Sequence, residues 1–168
     1  SYILLAIPLF IATANIMNAG AITDRLLRFC IAMVGRFRGG LGYVDILQSV
    51  LFAGMSGSSV ADAAGMGKVI ITMAIRSGKT PPGYAAAVTA ASSTICAVLP
   101  PSIPLVMYAL VSNASIGYLF LGGVVPGLIM AVCMVGVHTW RAQTRKYGIE
   151  PPTPLRQIPG ITLQALPT

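Results

Sequence analysis

The sequence predicts an all-α membrane protein, built from transmembrane helices, a re-entrant helical hairpin and a discontinuous helix that is broken by proline. Three observations support this fold class. The chain is 55% hydrophobic and only 9% charged, whereas soluble domains carry roughly 25% charged residues. Its apolar residues form stretches long enough to enter a hydrocarbon core of about 30 Å. Two of these stretches are interrupted by clusters of glycine, serine or proline, which favour a break in a helix.

The predicted elements follow one another along the whole chain. They are a transmembrane helix over 1–18, an interfacial amphipathic helix and cytoplasmic loop over 19–40, the hairpin over 41–79, the discontinuous transmembrane helix over 80–113, a transmembrane helix with a basic cytoplasmic end over 114–147, and a proline-rich cytoplasmic linker over 148–168.

The first two elements differ in length and polarity. Residues 1–18 are almost all apolar and would cross most of the hydrocarbon core at ~1.5 Å per residue. The next helix is predicted over 24–35, after a Thr23 N-cap, with Arg25 and Arg28 on one face. Its apolar surface consists of Leu26, Leu27, Phe29 and Met33.

A helix over 24–35 reaches only ~18 Å and is too short to span the bilayer. It is therefore expected along the cytoplasmic interface, with both arginines in water and Leu27 near the headgroups. The alternative is a short helix that packs outside the membrane.

Charge placement predicts the topology. Basic residues precede and follow the apolar stretch 41–75 and follow the last apolar stretch, 117–139, while no charge lies over 112–117. Because positively charged loops stay in the cytoplasm, the 41–75 stretch must begin and end on that side as a hairpin, and Asn113 faces the periplasm. Charge alone leaves open whether the hairpin crosses fully, but its short arms and Gly/Ser tip favour re-entry. Lys68 in its second arm either snorkels or pairs with Asp62.

Several function classes are excluded by the remaining polar residues. The net charge of +7 comes from short basic clusters and not from a continuous stripe, which argues against nucleic-acid binding. With one histidine, His138, and no phosphate-binding loop, the chain is predicted not to be an enzyme. His138 lies beside Trp140 and is interpreted as an interface anchor. The three cysteines are interpreted as small buried hydrophobes; they are Cys30, Cys96 and Cys133.

The two irregular segments, at 54–59 and 99–104, form the candidate functional site. Broken helices at membrane depth expose carbonyl oxygens and helix ends, which bind ions and substrates in secondary transporters. We expect the two breaks to meet near mid-membrane and to bind one sodium ion. The candidate sodium ligands are Ser56, Gly57, Ser58, Ser59, Thr94, Pro100, Pro101 and Ser102. The candidate substrate-binding residues are Ser92, Ser93 and Asp62.

A structural interpretation of the same residues stays open. The prolines would then only kink a helix, and the serines would pack between helices as small residues do. Asp62 is an ionisable residue in an apolar stretch, which indicates a function by default, but it could equally be a partner for Lys68 or for the hairpin backbone.

Six short segments, in order along the chain, carry a family resemblance. They are Pro8-Leu-Phe-Ile, Asn15-Ile-Met-Asn18, Gly39-Gly-Leu-Gly-Tyr43, Ser56-Gly-Ser-Ser-Val-Ala-Asp-Ala-Ala64, Pro100-Pro-Ser-Ile-Pro104 and Leu119-Phe-Leu-Gly-Gly-Val-Val-Pro-Gly127. Through them, residues 5–147 resemble the large membrane subunit of tripartite ATP-independent periplasmic (TRAP) transporters.

The resemblance implies a multi-pass protein of the bacterial inner membrane that takes up small carboxylates, such as dicarboxylates, sialic acid and related sugar acids. In this family a sodium gradient drives symport, a periplasmic solute-binding protein delivers the substrate, and a small membrane subunit pairs with the large one. Na⁺ is then the coupling ion and no other cofactor is implied. The large subunit contains two inverted repeats and works as an elevator. Only the first repeat matches here, so the chain is expected to be a fragment or the product of a truncated gene.

Two alternatives to this function remain. One is a non-transporting membrane scaffold or degenerate half-transporter that only assembles with partners. The other is an ion-coupled transporter that uses no binding protein.

Overall fold

The computed structural model describes residues 9, 12, 21–145, 147 and 148, and the regular elements of this part of the chain are helices. The helices are α1 Ala21–Val34, α2 Gly40–Ser56, α3 Ser59–Asp62, α4 Lys68–Ser77, α5 Pro82–Ser92, α6 Ile95–Val98, α7 Ile103–Ser112 and α8 Ile116–Thr144, with a π-helical turn, Ala63–Gly67, between α3 and α4. The all-α class is confirmed. The predicted first transmembrane helix and the C-terminal linker lie almost entirely outside the described residues.

The predicted hairpin is present as two antiparallel arms, α2 and the α3–α4 arm. Near the turn, Ser49 of α2 donates a hydrogen bond to Asp62. Further from it, Val44 packs in one cluster with Met66 and Ile70. Each arm ends within two residues of the predicted boundary, because local signals set both ends: a left-handed glycine ends α2 and another ends α4.

Helix α2 lies at the centre of the molecule and contacts α1, α5, α6 and α8. Eleven of its 17 residues are buried. Gly42 allows the closest of these approaches, since a Cβ there would overlap the ring of His138 on α8. The central position of α2 means that its polar residues face other helices and not the surroundings of the protein.

The segment Pro82–Ser112 and helix α8 are both long and apolar enough to cross a membrane. The first is broken twice. The break at 99–104 was predicted, while the second, at Ser93 and Thr94, was not. There the Thr94 N–H donates to the Ala91 carbonyl oxygen at 3.2 Å, which tightens the last turn of α5. No proline or glycine marks this position, which is why the sequence did not reveal it.

Helix α8 is longer than the predicted 117–139 and includes Pro126 without a break. It packs against the end of α6 through two small residues, Gly123 and Gly127. A Cβ on Gly123 would lie 2.5 Å from the Val98 carbonyl oxygen, and one on Gly127 would lie 2.7 Å from Leu99 Cδ1. Small residues at this spacing let a helix approach a partner backbone closely.

Helix α1 requires a correction. Arg25 and Arg28 are exposed as expected, but Leu27 is 7% exposed and packs with Cys30 against the hairpin. Leu27 therefore packs on protein and does not face the lipid, and of the four apolar residues assigned to the interface only Met33 is exposed. The sequence did not show that protein covers the face opposite the arginines, and the placement of the helix along the interface stays a prediction.

The cysteines also differ from the expectation. Cys30 and Cys96 are buried, as predicted, whereas Cys133 on α8 is exposed. Helix α8 has few buried residues along its length, so most of its apolar side chains, Cys133 included, point away from the rest of the chain.

Candidate functional site

The hairpin turn consists of Gly57 and Ser58. Gly57 ends α2 with φ +60°, in the left-handed region that glycine adopts most easily. Ser58 is extended and caps α3, because its Oγ accepts a hydrogen bond from the Ala61 N–H at 3.3 Å. The Ser58 N–H in turn donates to Ser56 Oγ at 3.4 Å. The serine hydroxyls thus hold the turn in a compact conformation.

The second break lies between α6 and α7, where Pro100 and Pro101 have no backbone N–H to donate. Ser102 restarts the helix, since its Oγ accepts from a backbone N–H of α7 at 3.4 Å and donates to the Ala97 carbonyl oxygen at 2.5 Å. Within residues 21–145, no group donates a hydrogen bond to the carbonyl oxygens of Leu99, Pro100 or Pro101. The lone pairs of these three oxygens are therefore available to a ligand.

The turn and the break contact each other through their backbones. The Ile103 N–H donates a hydrogen bond to the Gly57 carbonyl oxygen at 3.2 Å. A Cβ added at Gly57 would overlap the Pro101 carbonyl oxygen and lie 3.1 Å from Ser102 Cα, so only glycine leaves room for this approach. The structure thus brings together two segments that lie more than forty residues apart in the sequence.

A groove of about 450 Å³ opens beside the first turn of α3, and it is lined by Ser59, Val60, Ala63, Ala64 and Ser93. All three predicted substrate-binding residues are buried, and of them only Ser93 lines this groove. The Ser93 hydroxyl donates to the Ala90 carbonyl oxygen at 3.0 Å. Thr94 is exposed, does not line the groove and donates its hydroxyl to the Ala91 carbonyl oxygen at 2.6 Å.

The bundle interior contains polar residues that the sequence analysis missed. Asp45 on α2 is 3% exposed and accepts a hydrogen bond from Thr89 Oγ1 at 2.8 Å. Asp62, also 3% exposed, accepts from Ser49 Oγ at 2.6 Å, and in the described part of the chain it makes no ion pair with Lys68, which is exposed. The spacing of Asp45, Gln48 and Ser49, at i, i+3 and i+4 within an apolar segment, is the signal that could have identified a polar face on α2.

His138 also differs from its predicted role. It is 2% exposed and joins three helices, so it is not an interface anchor. Its Nε2 lies 3.0 Å from the Gly39 carbonyl oxygen, and its Nδ1 lies 2.9 Å from the Tyr84 hydroxyl. Because a carbonyl only accepts, Nε2 carries the proton and Nδ1 accepts from Tyr84 in the neutral ring. Trp140, two residues later, is exposed.

Comparison with known proteins identifies the family. Residues 1–168 match the family described as "Tripartite ATP-independent periplasmic transporter, DctM component". The sialic acid TRAP transporter large permease protein of Vibrio cholerae is 43% identical over 147 residues, which cover 88% of this chain and 34% of the relative. The C4-dicarboxylate TRAP transporter large permease protein of the same species is 41% identical, over 80% of this chain and 29% of the relative.

A third relative is the 2,3-diketo-L-gulonate TRAP transporter large permease protein of Escherichia coli K12, which is 38% identical over 84% of this chain and 33% of the relative. The chain thus spans about a third of the length of the curated relatives it matches. The match extends through the hairpin, the broken helix and α8, which are the elements that form the contact described above. The chain therefore belongs to the large-permease family of the tripartite ATP-independent periplasmic transporters.

Proposed function

We propose that this chain forms part of the membrane permease of a sodium-coupled symporter, which takes up small carboxylates across the bacterial inner membrane. A periplasmic solute-binding protein would deliver the substrate, and a small membrane subunit would pair with the permease. The observation that carries the proposal is the backbone contact between the hairpin turn and the proline break.

A sodium ion is the ligand that this contact suits best. The carbonyl oxygens of Leu99, Pro100 and Pro101 have no hydrogen-bond donor within residues 21–145, and the Pro101 oxygen lies against the turn at Gly57. In an apolar environment such oxygens need a partner. Hard oxygen ligands favour a small hard cation, and broken helices of secondary transporters bind Na⁺ through unwound backbone carbonyls. Serine hydroxyls that already donate to backbone oxygens keep lone pairs for the same ion.

The contact also supports a hairpin that enters the membrane and returns. The turn packs at Pro101 and Ser102, and the ten residues of α7 continue beyond this point to Ser112. These ten residues would extend ~15 Å further along the membrane normal. The hairpin would therefore stop at the depth of the break, well short of the loop that contains Asn113.

The names of the relatives support the proposed substrate class. The three relatives are named for sialic acid, a C4-dicarboxylate and 2,3-diketo-L-gulonate, and all three compounds are acids. The groove beside α3 is lined by Ser59 and Ser93. The Ser93 hydroxyl donates to the Ala90 carbonyl oxygen at 3.0 Å, so Ser59 is the hydroxyl that could donate a hydrogen bond to a carboxylate. We assign one wall of the substrate site to this groove.

The proposal is tested by uptake in proteoliposomes. The protein is produced from its complete gene and reconstituted with the small membrane subunit and the binding protein, and uptake of a labelled carboxylate is measured against sodium concentration. Ser58→Ala should raise the sodium concentration for half-maximal uptake by roughly tenfold, equivalent to about 1.4 kcal/mol. Gly57→Val should abolish uptake while membrane insertion persists, because its side chain would displace the Pro101 carbonyl.

Ser115→Ala is the matched control. Ser115 is exposed and makes no side-chain capping hydrogen bond at the start of α8, so its replacement should leave the sodium dependence unchanged. Uptake that is independent of sodium in the unmodified protein would refute the coupling. If uptake by Ser58→Ala instead has the same sodium dependence as uptake by Ser115→Ala, the turn is not part of the sodium site.

A further inference from the structure

Gln48 on α2 is the starting point, because its side chain is 1% exposed and neither amide atom has a hydrogen-bond partner in the described part of the chain. Buried polar side chains are nearly always hydrogen-bonded. A glutamine offers one acceptor oxygen and two N–H donors, and all of this capacity is unmet inside the bundle. Such an arrangement indicates that the amide faces a ligand and not only neighbouring side chains.

Two buried carboxylates lie on the hairpin arms near Gln48. Asp45 precedes it by three residues on α2, so the two side chains share a face. Asp62 reaches the same face from the second arm, since its Oδ2 accepts the hydrogen bond from Ser49 at 2.6 Å. Both carboxylates are 3% exposed, and each accepts a hydroxyl hydrogen bond, Asp45 from Thr89. A carboxylate can accept about four hydrogen bonds, so lone pairs remain on both.

Among the described residues, neither acid is paired with an opposite charge. In the described part of the chain neither makes an ion pair, and the nearest basic residue along the second arm, Lys68, is exposed. Two carboxylates buried close together repel each other and are costly to keep charged unless a cation or a proton accompanies them. The bundle interior therefore holds two carboxylates and an unpaired amide, and no ion pair with a described residue neutralises the carboxylates.

The packing around the three side chains is tight. The π-helical turn that follows Asp62 packs closely on α5, where a Cβ at Gly67 would overlap Thr89 Cγ2. π-helical turns are rare and are frequent at functional sites. A small cavity of about 10 Å³ is lined by Asp45 together with Thr80 and Tyr84, but not by Gln48 or Asp62, and its volume is near the minimum for one water-sized occupant.

We propose that Asp45, Gln48 and Asp62 form an interior cation site, which binds one small hard monovalent ion through oxygen ligands. Along α2 the site lies away from the hairpin turn, because Asp45 and Gln48 precede the end of the helix at Ser56 by ~17 Å and ~12 Å, whereas Asp62 follows Ser58 by four residues. Carboxylate and carbonyl oxygens select hard cations. The bound ion would neutralise the acids and link the two hairpin arms to α5.

Sodium binding to the purified protein, produced from its complete gene, tests this site without reference to transport. Radioactive Na⁺ binding is measured at constant ionic strength, with choline as the replacing cation. Gln48→Leu keeps the side-chain volume and removes the amide, so it should fold, and it should raise the sodium concentration for half-saturation of one site at least about tenfold. Asp45→Asn should remove one bound ion per protein. Ser115→Ala should bind as the unmodified protein does.

The turn variant Gly57→Val separates this inference from the proposed function. If the turn also binds sodium, Gly57→Val and Gln48→Leu should each remove a different ion, and the double variant should remove both. If Gln48→Leu loses one bound sodium ion and Gly57→Val loses none, the result supports the interior site and contradicts the turn site. If Gln48→Leu and Asp45→Asn both bind sodium as the unmodified protein does, the interior site is refuted.

A proton is the competing occupant, and thermal unfolding distinguishes it from sodium. If sodium binds, the unfolding temperature should rise with sodium at about pH 8, and Gln48→Leu should lose that rise. If the unfolding temperature instead rises only on acidification to about pH 5.5, independently of sodium, and Asp45→Asn abolishes that response, the carboxylates hold a proton and the cation site is refuted.

Discussion

At the scale of single residues, glycine controls how closely the two breaks approach. Gly57 combines two constraints, a positive φ and contact with the Pro101 carbonyl oxygen. The molecule offers controls for both. Gly78 has a φ of +64° but nothing within 4 Å of an added Cβ, and Gly54 has open space and ordinary helical geometry. Comparing the three positions separates backbone strain from loss of the contact.

We predict that Gly57→Ala lowers the free energy of unfolding more than Gly78→Ala does. An alanine in the left-handed region costs roughly 1–2 kcal/mol, and only Gly57→Ala adds an overlap with backbone, which an alanine cannot avoid without moving the break. Gly54→Ala should be neutral or stabilising by about 1 kcal/mol, because alanine is the better helix former. Thermal unfolding of the purified variants measures all three. Equal effects at positions 57 and 78 would show that the contact contributes nothing.

At the scale of elements, the end of α6 is held between the hairpin turn on one side and α8 on the other. Gly123 and Gly127 make the second contact possible, since both face the last residues before the proline break. Two further glycines on α8, Gly122 and Gly136, have nothing within 4 Å. The position of the break is therefore set by packing from two directions. A larger side chain at one of these α8 glycines should shift the break and so change the candidate sodium site.

We predict that Gly127→Leu destabilises the protein by roughly 1–3 kcal/mol, because overpacking forces neighbouring side chains and backbone to shift. Leu99, which adjoins the break, is the residue that would move, so sodium-dependent uptake should weaken as well. Gly136→Leu is the control and should leave both properties close to those of the unmodified protein. Unfolding in a mild detergent gives the stability, and proteoliposome uptake gives the activity. An effect of Gly136→Leu as large as that of Gly127→Leu would contradict the packing argument.

At the scale of the whole molecule, the distribution of apolar surface indicates a lipid or protein environment. Large apolar side chains on α8 stay exposed along its length, among them Leu121, Val125, Ile129 and Val132. A water-soluble monomer rarely keeps so continuous an apolar surface. Most of the basic residues lie near the two ends of the hairpin and at the end of α8, whereas the α7–α8 loop has no charge.

We predict that the ends of the hairpin face the cytoplasm and that the α7–α8 loop faces the periplasm. Cys133→Ser removes the exposed native thiol, and Ser77→Cys and Asn113→Cys each place one thiol at a loop. A membrane-impermeant maleimide added to whole cells should label position 113, whereas position 77 should react only after permeabilisation. The reverse pattern would invert the topology, and labelling of both positions from outside would show that the hairpin does not return to its starting side.

Local sequence signals determined much of the fold. Glycine and proline act through the backbone of their own segment, so the hairpin turn, the proline break and the helix ends at α2 and α4 could be predicted from the chain to within a few residues. Composition determined the membrane class for a similar reason, since the number of charges available to a surface is a property of the sequence alone. The family was recognisable because its motifs coincide with these same breaks.

Only the tertiary structure decided which side chains are buried. Leu27, Asp45 and His138 each lie on a helix whose partners come from elsewhere in the chain; the Gly39 carbonyl that binds His138 is 99 residues away. Helical periodicity defines a face, but whether lipid, water or another helix covers that face depends on packing between distant segments. For that reason the sequence pointed to the breaks, while the interior polar cluster around Gln48 became visible only once α2 was placed at the centre of the bundle.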